Sequence, residues 1–415
     1  MIHGQLKYKI LSLFIGVLFC ACNKDVQQFP EPAPADTSSS PALAAAIAAD
    51  ADYSLFSEII KKSGYTDTLN NKKFTLTLFA PTNAAVKTAV SLLTGGQIPT
   101  NAPDAIVTGF IQSNNFPAAT ANGLVKYSTV PQLVDMAGIS SASLNVQFPA
   151  MINPAPDLSA LARLSVFLSK AGSVPYVNNV PVTAPKTVAG NGCYYGAAAV
   201  VMPPTRLLWQ RISEAPDLTY LEAAFIKADE GLSEADKKDV RKSMRALVSS
   251  FGPSVTLFAP TDNIFKATLT GLIYQKLVEG GMLPGMALPA ATDIASTPAV
   301  FNNPAVATVL TPGNVRGLLA YHMLGSTAFS NNFPVTETEF PTLISQAPGE
   351  TDPKLKIKAG FTGPMVTSLT VKGAINPTAA NVSMNPLPEP NGSSDQFYVN
   401  GTLFKIDQIL LPVNF

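Results

Sequence analysis

Few residues in this sequence of 415 could carry out catalysis. The histidines are His3 and His322, and the cysteines are Cys20, Cys22 and Cys193. His3 lies in an N-terminal segment that we interpret below as a cleaved signal, so a Ser-His-Asp triad would depend on His322 alone, and no Gly-x-Ser-x-Gly turn accompanies it. Cys20 lies in the same segment and Cys22 is the predicted lipidated residue, so His322 and Cys193 alone remain, which are too few ligands for a Cys/His zinc site. We therefore predict no catalytic residue, no metal site, no cofactor and no enzymatic activity.

Two acidic pairs could hydrolyse a glycoside only if a cleft held their carboxylates face to face. They are Glu337/Glu339 and Asp229/Glu230, and acidic residues so close along a polar segment are usually solvated. Cys193 lies where we predict a buried strand, so it is interpreted as a small apolar residue rather than a reactive thiol.

Aromatic residues near predicted strand ends leave two interpretations open. They could form a flat platform for sugar rings, or they could belong to the core, which is the more common role of aromatic side chains. The residues are Tyr176, Tyr194, Tyr195, Phe397 and Tyr398.

The N-terminus predicts export and lipid anchoring. Lys7 and Lys9 precede an apolar run that has the length of a secretory signal rather than of a membrane-spanning helix. The run ends in Leu-Phe-Cys-Ala-Cys, which resembles a bacterial lipobox with Cys22 as the lipidated residue. We predict a lipoprotein signal peptide over residues 1–21. An ordinary cleaved signal is the alternative.

Residues 22–42 are rich in Pro, Ser and Ala and predict an extended tether. Lys24 and Asp25 resemble the start of surface-export signals in lipoproteins of the Bacteroidetes type, but the acidic run expected next is missing. We expect an outer-membrane lipoprotein that faces either the cell surface or the periplasm. Lys+Arg and Asp+Glu number 28 each, so no basic excess favours a nucleic acid partner.

Three sequence blocks occur twice in the same order, which predicts an internal repeat. Residues 78–83 (LFAPTN) recur at 257–262 (LFAPTD), and residues 107–111 (VTGFI) align with 315–319 (VRGLL). Residues 191–203 align without a gap on residues 400–412, and both segments begin Asn-Gly. On this alignment Ser113 and Asn114 occupy the positions of Tyr321 and His322, and Ala198 that of Asp407.

The first copy predicts an amphipathic helix over residues 53–64 that ends at Gly64, then a strand, then a second helix that Thr82 or Asn83 begins. The second copy predicts the same order, and Thr261 or Asp262 begins its second helix. The second copy carries extra residues, which we place in a loop insertion at about 270–312. We predict two domains, at 43–207 and 208–415.

The repeated blocks resemble the signatures of the fasciclin (FAS1) domain family. The match lies in residues 256–267 (TLFAPTDNIFKA), in the Tyr321-His322 pair, and in the closing Asn-Gly block with its Ile-Asp-Gln-Ile-Leu-Leu-Pro ending. The resemblance implies an α+β fold with two tandem fasciclin-like domains. Each domain would be a β-strand wedge or sandwich with packed helices, and the first copy would be divergent.

The same resemblance implies a non-catalytic adhesion protein that binds an extracellular protein or polysaccharide. Tyr321 and His322 are the candidate partner-contact residues, because that pair is implicated in partner binding in animal members of the family. The alternative for His322 is a buried histidine that bonds a neighbouring loop. The alternative function is a glycan-binding accessory lipoprotein of a polysaccharide-uptake system.

Overall fold

The computed structural model describes residues 39–157, 159–344 and 352–412. From Pro41 onward the chain forms one compact unit. The predicted signal peptide, the predicted lipidation site Cys22 and most of the predicted tether lie outside the described residues. No helix within the described residues is both long and apolar enough to cross a membrane.

The first half of the compact unit (residues 41–207) opens with helices and closes with strands. Its helices are α1 (Leu43–Ala49), α2 (Ser54–Ser63), α3 (Thr66–Asn70), α4 (Asn83–Leu93), α5 (Asp104–Gln112) and α6 (Ala118–Tyr127). Its strands are β1 (Leu76–Pro81), β2 (Thr129–Val130), β3 (Val146–Pro149), β4 (Ser165–Ala171), β5 (Val174–Val177), β6 (Val180–Pro181), β7 (Thr187–Ala189) and β8 (Gly192–Ala197).

The second half (residues 208–412) repeats this order of elements. Its helices are α7 (Leu208–Glu214), α8 (Thr219–Ala228), α9 (Met244–Ser249), α10 (Asp262–Glu279), α11 (Pro284–Ile294) and α12 (Pro312–Tyr321). Its strands are β9 (Val255–Pro260), β10 (Met323–Leu324), β11 (Thr338–Phe340), β12 (Leu355–Thr362), β13 (Met365–Lys372), β14 (Ala380–Asn381), β15 (Gln396–Tyr398) and β16 (Gly401–Ile406).

The described strands form two equivalent pairs of four-stranded sheets. The strand orders are β2-β1-β8-β7 and β3-β4-β5-β6 in the first half, and β10-β9-β16-β15 and β11-β12-β13-β14 in the second. The first sheet of each half has a central parallel pair, β1 with β8 or β9 with β16, and the other neighbours are antiparallel. This mixture of helices and sheets confirms the predicted α+β class.

Each half has two hydrophobic clusters. In the first half, one cluster joins helices α1, α2 and α6 to the sheet containing β1, and it includes Phe56 and Leu78. The other lies between the two sheets and includes Phe79 and Val166. Because Leu78 and Phe79 are adjacent on β1, this strand buries both of its faces, as strands do in sheets that are covered on both sides.

The extra residues of the second half are helical rather than a loop. Helix α10 extends to Glu279, seven residues longer than its counterpart α4, as their respective lengths of 18 and 11 residues show. Helix α11 follows, and Val300 and Phe301 after it are buried in the core. The prediction of a loop at about 270–312 is therefore wrong, because much of this segment is helical. Gly and Pro suggested a loop, yet Pro284 stands at the start of α11, where its missing N–H costs no hydrogen bond.

The two halves contact each other through aromatic and polar side chains. Phe167 of β4 lies edge-on to Phe329 and Phe397, with 5.9 Å between ring centroids in each case. The Ser169 hydroxyl accepts hydrogen bonds of 3.0 and 2.9 Å from the side-chain amides of Asn331 and Asn332. These contacts hold the two halves together. The domain boundary between residues 207 and 208 stays a prediction.

Candidate functional site

Tyr321 is the last residue of α12 and is fully buried. Its hydroxyl donates to the Lys354 carbonyl at 2.9 Å and accepts from the Ala374 amide at 2.8 Å. Both partners lie in the segments around the second sheet, so the ring and its hydroxyl join α12 to that sheet. No part of this side chain is exposed for a partner to contact.

His322 follows Tyr321 and is 2% exposed. Its Nδ1 lies 2.8 Å from the Leu318 carbonyl, and its Nε2 accepts a 3.0 Å hydrogen bond from the Leu410 amide. Because a carbonyl can only accept and an amide can only donate, the ring is neutral with its proton on Nδ1. Burial lowers its pKa from the usual 6.5 to about 4. These contacts favour the structural interpretation of His322.

The structure corrects the alignment of this pair with the first half. Tyr127 ends α6 as Tyr321 ends α12, and its hydroxyl donates to the Ser165 carbonyl at 2.8 Å. The carbonyls of Ser128 and His322 accept equivalent hydrogen bonds, from the Phe79 amide at 2.9 Å and the Phe258 amide at 3.0 Å. The counterpart of Tyr321-His322 is therefore Tyr127-Ser128, at an offset of 194 residues (321 − 127).

Ser113 and Asn114, placed opposite Tyr321-His322 by the sequence alignment, instead follow α5. The first half thus keeps the tyrosine and replaces only the histidine. The replacement leaves the buried Ser128 hydroxyl without a hydrogen-bond partner among the described residues. This corrected alignment makes the first half less divergent than its sequence suggests.

The other chemistry-bearing candidates have structural roles. Cys193 is buried in β8, and burial raises the pKa of its thiol. Asp229 is buried rather than solvated, and it accepts hydrogen bonds from the Met244 and Arg245 amides at the start of α9. Glu337 and Glu339 lie near lysines on an exposed surface.

The tyrosines proposed as a sugar platform are buried, each no more than 4% exposed. The Tyr176 hydroxyl donates to the Pro364 carbonyl at 2.7 Å, and the Tyr195 hydroxyl donates to the Val134 carbonyl at 3.0 Å. Only Phe397 of that set is partly exposed. A platform built from these tyrosines is therefore not available in this structure.

A cleft of about 370 Å³ lies between the two halves. One wall comes from β3, β4 and the segment before β4, and the other from the segment before β9 and from the end of β15. Exposed or partly exposed side chains suited to ligand contact line it; they are Gln147, Ser159, Arg163, Phe251, Ser254 and Phe397. Its size falls within the usual range for small-ligand sites.

The charge of this cleft is positive. Arg163 is its one ionisable lining residue, and no carboxylate forms an ion pair with Arg163 within the described part of the chain. Nη1 donates to the Ala160 and Ala162 carbonyls at 2.9 and 2.7 Å. These bonds orient the guanidinium, whose five N–H groups leave others available to a ligand.

The family comparison concerns the first half of the chain. A model of the fasciclin domain matches residues 51–203, which span the first half from just after α1 to just after β8. Residues 51–203 are a fasciclin domain. No curated protein matches the sequence.

One solved structure similar to this chain is a FAS1 domain pair from the insect cell adhesion molecule fasciclin I. The sequences are 13% identical, the alignment covers 87% of this chain and 97% of that chain, and the TM-score is 0.30.

The closing Asn-Gly block of the fasciclin domain has a clear structural reason. The Asn191 side-chain oxygen accepts a 2.9 Å hydrogen bond from the Leu43 amide, and Asn400 does the same for Leu208 in the second half. Each asparagine thus ties the end of its half to the first turn of that half's first helix. The signal was visible in the sequence, because both copies begin the block with Asn-Gly, but its partner lies more than a hundred residues away.

Asp395 is a buried carboxyl group beside the contact between the two halves. Both of its oxygens accept 2.7 Å hydrogen bonds from Ser330, one from the amide and one from the hydroxyl. Burial is the dominant influence and raises the pKa of Asp395 from 3.8 to about 6. An ionised Asp395 therefore costs stability at neutral pH.

We expect Asp395→Asn to raise the free energy of unfolding at about pH 8 by about 3 kcal/mol. The folded state binds the Asp395 proton more tightly than the unfolded chain does. The protonated carboxyl therefore stabilises the original protein at low pH, and this stabilisation is lost as the pH rises through about 6, whereas asparagine stays neutral. Asparagine also tolerates the φ of +51° at this position. Urea unfolding at about pH 4 should show little difference between the proteins, whereas an equal gain at both pH values would contradict the assignment.

Proposed function

We propose that this protein is a non-catalytic adhesion protein of the bacterial cell envelope, anchored by lipid at Cys22. The observation that carries the proposal is the fasciclin domain over residues 51–203, since such domains commonly serve adhesion. The second half has the same sheet topology and the same Asn-Gly contact, which supports a second fasciclin-like domain. The ligand would be an extracellular protein or polysaccharide.

The cleft between the halves is our proposed ligand site. Tyr321 and His322 are buried, whereas the cleft presents exposed aromatic, polar and cationic side chains. A site at this position would require both halves, because each half supplies one wall of the cleft.

Lipid anchoring is supported by the lipobox-like sequence that ends at Cys22. Mass spectrometry of the mature protein should find a diacylglyceryl group on this residue, and globomycin should block its maturation. A mature N-terminus at another residue, without lipid, would contradict the anchoring. Protease treatment of intact cells then separates surface display, which degrades the protein, from a periplasm-facing orientation, which protects it.

Adhesion is tested by comparing cells with and without this protein for attachment to the extracellular matrix of their own biofilm. We expect the deletion strain to attach less, and expression of the full chain to restore attachment. Equal attachment would contradict adhesion. The alternative, a glycan-binding accessory of polysaccharide uptake, predicts instead that the deletion strain attaches normally and grows slowly on a polysaccharide as the carbon source.

A further inference from the structure

The chemistry of the cleft between the halves indicates which ligand it takes. Arg163, which has no ion-pair partner among the described residues, lies on one wall, and the ring of Phe251 lies on the other. Phe251 is 48% exposed, although a large apolar side chain gains free energy when it is covered. Both features are satisfied by a ligand that carries an anionic group and an apolar face.

The uncharged polar groups of the cleft indicate the class of ligand more closely. Ser159 and Ser254 present hydroxyls, and Gln147 presents a side-chain amide. The Gln147 amide nitrogen donates to the Ser165 hydroxyl and the Ser159 hydroxyl accepts from the Leu161 amide, so the Gln147 oxygen and the Ser159 O–H remain for a ligand. The Ser254 hydroxyl accepts a 2.9 Å hydrogen bond from the Thr327 amide and shares one of 2.8 Å with the Thr327 hydroxyl, which fixes its position and leaves it one further hydrogen bond. Such groups match a ligand that bears many hydroxyls.

Sugars with carboxylate groups combine these three properties. The carboxylate of a uronic acid can pair with the two-pronged guanidinium, its hydroxyls can bond the serines and the amide, and the C–H face of its ring can pack on phenylalanine. An acidic peptide has the charge but lacks the hydroxyls, so it matches fewer of the lining groups.

We propose that this cleft binds a uronate-containing polysaccharide, with Arg163 holding a carboxylate and Phe251 packing against a sugar ring. The inference rests on the proposed function, because it names the ligand class of the proposed adhesion site. It assigns the anionic end of the ligand to the first half and a sugar face to the second half.

The test uses the purified full chain and polygalacturonate as the probe, with binding measured by calorimetry at about 0.15 M salt, where weak surface attraction is screened. Methyl-esterified polygalacturonate keeps the sugar chain and removes the charge. Poly-glutamate keeps the charge and removes the sugar. The variants are Arg163→Gln and Phe251→Ala.

Matched controls exist for both variants. Arg241 is an exposed arginine outside the cleft, with 85% of its side chain exposed, so Arg241→Gln removes the same charge elsewhere. Phe74 is 46% exposed and also outside the cleft, so Phe74→Ala removes the same ring elsewhere. Thermal melting of all four variants checks that each is folded.

We expect polygalacturonate binding to weaken at least about tenfold in Arg163→Gln and in Phe251→Ala, and to be unchanged in the two controls. The esterified polymer should bind weakly and respond only to Phe251→Ala. The inference is overturned if polygalacturonate does not bind, if poly-glutamate binds as tightly, or if the controls lose as much affinity as the cleft variants. Cells can still attach in the biofilm assay if this test fails, so the two proposals fail separately.

Discussion

Replacing Gly401 by alanine is expected to lower the free energy of unfolding by about 4 kcal/mol. Gly401 begins β16 at a φ of +154°, a region that residues with a side chain rarely adopt. A Cβ at this position would collide with the Val255 carbonyl oxygen on β9, the parallel partner strand. The backbone must move in the centre of the sheet, where no flexible side chain can give way.

The equivalent position in the fasciclin domain allows a second measurement. Gly192 begins β8 at a φ of +147°, and its Cβ would collide with the Leu76 carbonyl oxygen. We expect Gly192→Ala to cost as much as Gly401→Ala. As a control, Gly271 lies within α10 with open space around its Cβ position, so Gly271→Ala should leave stability unchanged or raise it by up to about 1 kcal/mol.

These losses are measured by urea unfolding of the full chain, followed by circular dichroism. If Gly401→Ala and Gly271→Ala have the same stability, the close approach of the two parallel strands is incorrect. A loss at Gly192 without a loss at Gly401 would show that the two halves do not share this packing.

His322→Ala is expected to cost about 3 kcal/mol at neutral pH. The substitution leaves the Leu410 amide and the Leu318 carbonyl without their side-chain partner, and it opens a cavity beside a fully buried Leu410. A histidine that served only to contact a partner would cost little stability when removed. Urea unfolding at about pH 7 distinguishes the two roles.

The pH dependence gives a sharper test of the same residue. Burial lowers the pKa of His322 from its usual 6.5 to about 4 in the folded protein. The contribution of His322 to the free energy of unfolding is therefore complete above about pH 6.5 and is lost as the pH falls toward 4. The stability gap between the original protein and His322→Ala should therefore narrow from about pH 7 to about pH 4. A constant gap would mean that the ring is accessible to water. The Asp395→Asn background removes the opposing titration of Asp395.

Local patterns in the sequence predict much of the fold. The helix predicted over residues 53–64 corresponds to α2, and Gly64 ends it at a φ of +68°. Thr82 accepts the predicted capping hydrogen bond from the Ala85 amide at 3.3 Å. In these cases the determining contacts lie within a few residues along the chain, so spacing and residue type suffice.

The features that the sequence did not predict correctly depend on contacts between distant segments of the chain. Residues 107–111 resemble residues 315–319 because both are apolar helical segments, but only α6 shares with α12 the tyrosine that reaches the second sheet. The tyrosines at 194 and 195 are both buried because β8 is covered on both faces, which alternation along one strand does not reveal. The cleft joins residues from both halves, so no local motif marks it.

The decisive comparison for the proposed adhesion role uses two double variants of the full chain, expressed at equal levels in the deletion strain. One is Arg163→Gln with Phe251→Ala, which changes both walls of the cleft, and the other is Arg241→Gln with Phe74→Ala, which makes the same changes outside it. Attachment of the cells to the extracellular matrix of their own biofilm is then counted under flow. We predict that the first strain attaches no better than the deletion strain and that the second attaches normally. Equal attachment of the two strains would contradict a binding site between the halves.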